Sequence, residues 1–180
     1  MKKQYKILRA TLQDVKDITT LVNKAYRGDS SRKGWTTEAD LLGGIRTDES
    51  GIEEILKDEN SILLKYIHEE ISQNLTGKVT GCVHLQKSNE KLYLGMLTVD
   101  PGIQNQGIGK KLLQAADNIA LENNFHSIYM TVISVRKELI EWYERYGYRK
   151  TGETKPFPMN DERFGLPKQL LEFIVLEKII

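Results

Sequence analysis

Leu97-Thr98-Val99-Asp100-Pro101-Gly102-Ile103-Gln104-Asn105-Gln106-Gly107-Ile108-Gly109-Lys110-Lys111-Leu112-Leu113 is the most informative stretch of the chain. An apolar run ends at Val99, a loop with two spaced glycines follows, and from Ile108 the apolar residues recur at helical spacing. A strand, a glycine-bearing turn and a helix in that order leave backbone N–H groups at the helix N-terminus without intrahelical acceptors. The helix dipole and those donors suit a phosphate or pyrophosphate, and glycine lets the backbone approach it closely. Gln104 adds a side-chain hydrogen bond, and Lys110 or Lys111 a charge. The same pattern also serves as a tight strand-to-helix turn with no ligand. Gly109-Lys110 is followed by Lys111 where a P-loop needs Ser or Thr, and Gly107 stands too close before it. The third glycine of the dinucleotide fingerprint is absent, so nucleotide hydrolysis and hydride transfer are both disfavoured.

Upstream, Tyr5 to Ala10 alternates like a strand, and Thr11 to Asp14 looks like a capping box. It opens a helix with Val15, Ile18, Leu21, Val22 and Ala25 on one face. Arg27 to Gly34 is expected to be loop, Trp35 to Leu42 a short threonine-capped helix, and Ile52 to Lys57 another helix. Ser61 to Glu69, Lys78 to Gln86 and Leu92 to Val99 read as three antiparallel strands, with turns at Asn74 to Gly77 and Ser88 to Glu90. Downstream, the helix from Gly107 stops at Asn123-Asn124. A strand Ser127 to Ile133, a helix from about Arg136 to Arg145 ending at Gly147, and strands near Tyr148 to Glu153 and Leu171 to Lys178 complete the chain. This order predicts a single α/β (α+β) domain over residues 1–180, with its core at about 5–178. Its sheet is mixed and mostly antiparallel, of about seven strands, with a parallel β-α-β crossover between Leu92–Val99 and Ser127–Ile133.

Composition narrows the function classes. The 180 residues carry 39% hydrophobic and 28% charged residues, an ordinary globular mixture that excludes collagenous and strongly disordered chains. With 26 Lys and Arg against 25 Asp and Glu, the net charge of +1 leaves no electrostatic footprint for nucleic acid. Charge is uneven, however: residues 1–34 hold nine basic and three acidic residues, and residues 35–74 hold three basic and ten acidic. The acidic block reads either as a solvated helix-and-loop face or as a surface that steers cationic substrates. The single cysteine, Cys82, excludes an internal disulfide framework, and no Cys/His cluster has zinc spacing, so no metal is expected. The basic start lacks a signal-type apolar block and no run is long enough to cross a bilayer, so a cytoplasmic protein without membrane or nucleic-acid partners is expected.

The central stretch resembles the pyrophosphate-binding motif of the GCN5-related N-acetyltransferases, Gln/Arg-x-x-Gly-x-Gly/Ala, matched by Gln104-x-x-Gly107-x-Gly109. About 35 residues later, Trp142-Tyr143-Glu144-Arg145-Tyr146-Gly147-Tyr148 looks like that family's Tyr-Glu-Lys-x-Gly-Phe helix end. The element order from Tyr5 to Lys178 also fits. The resemblance implies helices on both sheet faces and a cleft where the strands Leu92–Val99 and Ser127–Ile133 splay apart, eased by a bulge at Gly95. It implies acetyl-CoA as cosubstrate, its pyrophosphate on the amides of Gln104, Asn105, Gln106, Gly107, Ile108, Gly109 and Lys110. Its pantetheine arm would lie along Leu97, Thr98 and Val99 like an added strand, with an N–H near Leu97 polarising the thioester carbonyl. Tyr143 stands at the family's catalytic tyrosine position, as general acid toward the departing thiolate. Tyr143 is also readable as one member of an aromatic core stripe with Leu139 and Tyr146.

Two positions depart from the family pattern. Arg136 stands where many members carry Asn, and Tyr93 where some carry a glutamate base, so deprotonation of the amine is left to water, Glu38, His84 or no dedicated group. By the same resemblance the acceptor wall is expected to include Tyr26, Arg32, Trp35, Thr36 and Glu38, with Trp35 and Glu38 otherwise read as a loop anchor and a helix-start carboxylate. His84, His68 and His126 read as structural or surface histidines, and Cys82 as a small buried hydrophobe. The function expected is transfer of acetyl to a primary amine of a small molecule or peptide by direct attack. A protein N-terminal or lysine acetyltransferase and a coenzyme-A-binding regulatory or degenerate domain stay open, and a homodimer is expected by analogy with the family.

Overall fold

The computed structural model describes residues 5–68 and 77–180. In chain order the elements are β1 (Tyr5–Arg9), α1 (Val15–Tyr26), α2 (Gly28–Ser31), β2 (Leu42–Gly43), α3 (Glu49–Lys57), β3 (Ser61–His68) and β4 (Val79–Ser88). Then follow β5 (Lys91–Val99), α4 (Ile108–Glu122), β6 (Ser127–Ile133), α5 (Lys137–Arg145), β7 (Arg149–Pro156), β8 (Leu166–Pro167) and β9 (Glu172–Ile179). A seven-stranded sheet runs β1-β3-β4-β5-β6-β9-β7, and every neighbouring pair is antiparallel except β5 and β6. The turn expected at Asn74 to Thr76, and Glu69 and Glu70 of the acidic block, lie outside the described residues.

Both faces of the sheet are covered because the central strands alternate between two apolar sets. Ile62, Leu64, Val83, Leu85, Leu92 and Leu94 pack under Leu112, Leu113, Ala116 and Ala120 of α4 and Ile140 of α5. Leu63, Val79 and Cys82 face the other way, onto Ile18, Leu21, Val22 and Ala25 of α1 and Ile52 of α3. Side chains two apart on a strand share a face, and those three and four apart on a helix share a stripe, so this layering follows from local periodicity. Burying each Leu or Ile contributes about 1.5–3 kcal/mol, which makes these stripes the main source of stability.

One strand breaks its own period. Leu92 and Leu94 face α4, so a regular β5 would send Met96 the same way, yet Met96 packs with the α1 cluster and Leu97 takes its place under α4. The β4–β5 register shifts between Cys82 and His84, which pair with Thr98 and Gly95, so Met96 and Leu97 together oppose Val83. Met96 has φ +50°, left-handed backbone that a non-glycine residue adopts only where packing over-determines it. The bulge expected at Gly95 therefore falls one residue later. Gly95 is small for another reason: a Cβ there would sit 2.8 Å from the Tyr93 ring.

Between α1 and α3 the sequence expectation gives way. The helix expected over Trp35–Leu42 is absent and a one-turn α2 lies in the stretch expected to be loop. The threonine that was to cap the helix is used in tertiary bonds. Thr37 Oγ1 lies 2.6 Å from Ser31 Oγ, Thr36 Oγ1 donates to the Ala25 carbonyl, and Glu38 N donates to the Tyr26 carbonyl at 2.9 Å. The paired β2 and β8 were not foreseen; they tie this segment to the loop before β9. Elsewhere the helices begin and end within a few residues of expectation, α3 capped by the Asp48 side chain accepting from Gly51 N.

Candidate active site

β5 and β6 pair only through Lys91–Tyr93 and Ser127–Tyr129, although both strands continue well beyond that point. The bulge at Met96 and Leu97 re-aims β5 as it leaves its partner, since an extra residue bends a strand and sharpens its twist. Three donors hold that geometry. The Tyr26 hydroxyl donates to the Leu97 carbonyl at 2.6 Å, and Thr98 Oγ1 and Cys82 Sγ donate to the Met96 carbonyl at 2.9 and 3.9 Å. Two cavities open beside the divergence, of about 400 Å³ and about 160 Å³, and Leu97, Leu139 and Tyr143 line both.

The larger cavity is built on the α4 N-terminus. Gly107 caps the helix with φ +74°, the first helical bond runs from Lys111 N to the Gly107 carbonyl, and so the N–H groups of Ile108, Gly109 and Lys110 have no helical acceptor. A Cβ at Gly107 would meet no protein atom within 4 Å, whereas one at Gly109 would touch the Trp142 ring at 3.3 Å. The glycines thus differ in purpose: Gly107 supplies the left-handed turn, and Gly109 lets Trp142 lie against the helix. Gln104 Oε1 accepts from Trp35 N at 2.8 Å, and its amide nitrogen has no acceptor among the described residues. Free donors, positive dipole and open backbone fit the pyrophosphate of a coenzyme.

Of the residues expected around the cosubstrate, Leu97, Val99, Gln104, Asn105, Gly107, Ile108, Gly109 and Lys110 line the larger cavity. Thr98 and Gln106 do not: Thr98 is buried with its hydroxyl turned onto Met96, and Gln106 is exposed beside the turn. Trp35, expected in the acceptor wall, lines this larger cavity instead and not the smaller one. Its position follows from two backbone bonds, its N–H to Gln104 and its carbonyl accepting from Arg136 Nη2 at 2.5 Å. Thr36, expected with it in the acceptor wall, lines the larger cavity too, and Trp142, Arg145 and Tyr146 complete the lining without having been singled out for it; Trp142 and Tyr146 share the helical face of Leu139.

Tyr26 and Glu38 line the smaller cavity, with Tyr93, Arg46, Arg136 and Phe164. Tyr26 is buried, and burial raises its phenol above the usual range. Glu38 is in an ion pair with the buried Arg27, which holds its carboxylate away from other partners. Burial likewise raises Tyr143 well above 10, so its hydroxyl stays protonated, and among the described residues it has no hydrogen-bond partner. His84 lines neither cavity. Its Nε2 is 2.9 Å from Ser61 Oγ, and burial, partly opposed by Asp58, lowers its pKa to about 4. Cys82 is fully buried and its thiol is pushed up to about 12, which leaves it inert. Among the described residues no group of three His, Cys, Asp or Glu side chains is placed to hold a metal ion, and no helix is long and apolar enough to cross a membrane.

Known proteins share this fold. The profile of the acetyltransferase (GNAT) family matches residues 28–148, and the chain belongs to that family. It is 28% identical over 87 residues to the N-acetylaspartate synthetase of Danio rerio, covering 47% of this chain and 31% of that protein. It is 26% identical over 103 residues to "Probable N-acetyltransferase camello" of Xenopus laevis, covering 55% and 47%. The chain thus matches less than half the length of either relative. Among solved structures, the ribosomal-protein-S18-alanine N-acetyltransferase of Escherichia coli superposes with a TM-score of 0.69 at 16% identity, over 98% of this chain and 94% of that one. A Bacillus anthracis chain in complex with acetyl coenzyme A superposes with a TM-score of 0.56 at 20% identity, over 71% and 67%. At these identities the structural likeness speaks for the fold.

Proposed function

We propose that the protein transfers the acetyl group of acetyl-CoA to a primary amine of a small molecule or peptide by direct attack. The observation that carries this reading is that Leu97 and Tyr143 line both cavities, so a group bound in one meets a group bound in the other at these two residues.

Bound acetyl-CoA supplies the activated acyl carbon as a thioester. The N–H groups of Ile108, Gly109 and Lys110 and the Gln104 amide hold its pyrophosphate. The β6-facing edge of β5 beyond Tyr93 has no strand partner and takes the pantetheine arm by strand addition, with an N–H near Leu97 polarising the carbonyl. The amine nitrogen forms the new N–C bond, the C–S bond breaks, and Tyr143 gives its proton to the leaving sulfur. Its raised pKa keeps that proton on the hydroxyl at neutral pH. The nitrogen releases its proton to solvent, since Glu38 is held by Arg27, and Tyr143 is reprotonated from solvent. His84 has no part in this scheme, because it lines neither cavity.

A free-thiol release assay with acetyl-CoA and a panel of primary amines tests the reading, and amine-dependent release is expected. Tight acetyl-CoA binding with no release for any amine favours the coenzyme-A-binding regulatory domain instead. Absence of calorimetric heat at millimolar acetyl-CoA removes the cosubstrate assignment.

A further inference from the structure

The smaller cavity carries an excess of positive charge that the proposed chemistry does not use. Arg46 and Arg136 line it, and the one carboxylate in its wall, Glu38, is in an ion pair with Arg27 behind it. Arg136 is held in place from outside: its Nη2 donates to the Trp35 carbonyl at 2.5 Å, while its Nη1 is buried and has no hydrogen-bond partner. A buried guanidinium N–H without an acceptor is costly, and a fixed one is already oriented for whatever acceptor arrives. Arg46 lies with its guanidinium 5.5 Å from the centre of the Tyr26 ring, and among the described residues no carboxylate is within ion-pairing distance of it. The nine-residue α5 starts at this wall, with Arg136 at its N-cap, and its dipole adds to the positive field.

We infer that the acceptor amine carries a carboxylate, which this cavity binds through Arg136 Nη1 and Arg46 while the amine faces Leu97 and Tyr143. The inference rests on the acetyltransfer reading for the fate of the amine, but the anion site stands on the two guanidiniums alone. Guanidinium forks match carboxylates bidentately, and a cationic polyamine would meet two fixed like charges. Size points the same way. At about 160 Å³ the cavity is roughly half the lower end of the 300–1,000 Å³ range of drug-sized sites. It therefore takes a compact amino acid rather than a folded segment, with the aromatic rings of Tyr93, Phe164 and Phe173 closing around its side chain.

The test compares glycine, alanine, aspartate and glutamate with their α-amides, as acceptors in the thiol-release assay and as ligands in calorimetry, in wild type, Arg136→Met and Arg46→Gln. The wild-type protein is expected to prefer the free carboxylates by about 10-fold or more in kcat/KM. Each variant is expected to shrink that carboxylate-to-amide ratio by about 10- to 100-fold, the value of one lost charge-assisted hydrogen bond, and in Arg46→Gln, which lies outside the larger cavity's lining, the Kd of acetyl-CoA is expected to stay unchanged. Equal use of acids and amides by wild type, or a preference for diamines, overturns the inference. If no amine is acetylated, the transfer reading fails, and calorimetry still decides the site: heat with the acids and not the amides in wild type, lost in both variants, upholds it, and equal or absent heat refutes it.

Discussion

The Tyr26 hydroxyl donates to the Leu97 carbonyl at 2.6 Å across 71 positions of sequence, fastening the end of α1 to the bulge of β5. That bond sets the wall shared by the two cavities, because Leu97 lines both and Tyr26 lines the smaller. Tyr26→Phe leaves a buried carbonyl without its donor and is expected to cost about 1–3 kcal/mol. Urea unfolding checks this: the midpoint should fall with the slope unchanged. A variant as stable as wild type would mean that the bulge is held without this bond.

Tyr143→Phe should separate chemistry from folding. Its hydroxyl has no partner among the described residues, so its removal is expected to change stability by no more than about 0.5 kcal/mol. If Tyr143 is the general acid proposed above, kcat should drop by about 100-fold or more while the Kd for acetyl-CoA stays within about twofold. Turnover and a thermal melt on the same preparation suffice, and unchanged kcat would return Tyr143 to the aromatic cluster it forms with Trp142 and Tyr148.

Gly107 and Gly109 should respond differently to alanine. At Gly107 the cost is the left-handed backbone, about 1–2 kcal/mol, since a Cβ there meets no protein atom. Gly107→Asn, which tolerates that region, should recover most of the stability, and Gly107→Glu should abolish measurable acetyl-CoA binding by placing a carboxylate on the anion site. Gly109→Ala should act by displacing Trp142, seen as a change in tryptophan emission. Acetyl-CoA affinity unaffected by Gly107→Glu would place the phosphate elsewhere.

Glu38→Gln tests the ion pair with Arg27, a residue only 6% exposed. Breaking a buried pair strands the remaining charge, and a loss of about 3–5 kcal/mol is expected in denaturant unfolding. Substituting both partners together, Glu38→Gln with Arg27→Met, should cost less than Glu38→Gln alone. A double variant no more stable than the single one would contradict this account.

His84 should make stability depend on pH. Its pKa falls from 6.5 to about 4 on folding because burial disfavours the imidazolium, so the unfolded chain binds a proton that the folded one refuses. The contribution is complete above pH 6.5 and is lost as pH falls toward about 4, on the order of 3 kcal/mol in all. Asp58 nearby has a lowered pKa, chiefly through hydrogen bonds to its carboxylate, and adds a loss of the same sign at lower pH. Unfolding free energy measured from pH 7 to 4 should fall less steeply in His84→Gln; parallel curves would reject the assignment.

The elements and the glycine turn before α4 were legible in the residues themselves. The stripes of α1 and α4 and the alternation of β3 and β4 are local patterns, and local sterics read them out directly. The Gly107 turn is equally local, since a left-handed N-cap is a property of one residue and its neighbours. The segment from Arg27 to Leu42 departs from its sequence pattern because its threonine hydroxyls bond the Ala25 carbonyl of α1 and the Ser31 hydroxyl of α2, and those bonds outweigh a weak capping preference.

The smaller cavity, the proposed acceptor side, is different in kind. Arg46 was one cation in an acidic block and Arg136 one departure from a family pattern, 90 positions apart, and neither had a role until they were found in the wall of one cavity. Met96 likewise reads as an ordinary strand residue, and its reversal to the α1 side exists only because α1, β4 and Thr98 hold the backbone there. Periodicity along a chain sets which face a side chain takes within its own element. Charges and bulges that meet across the sheet are set by strand order and register, which are long-range contacts that no single stretch of sequence contains.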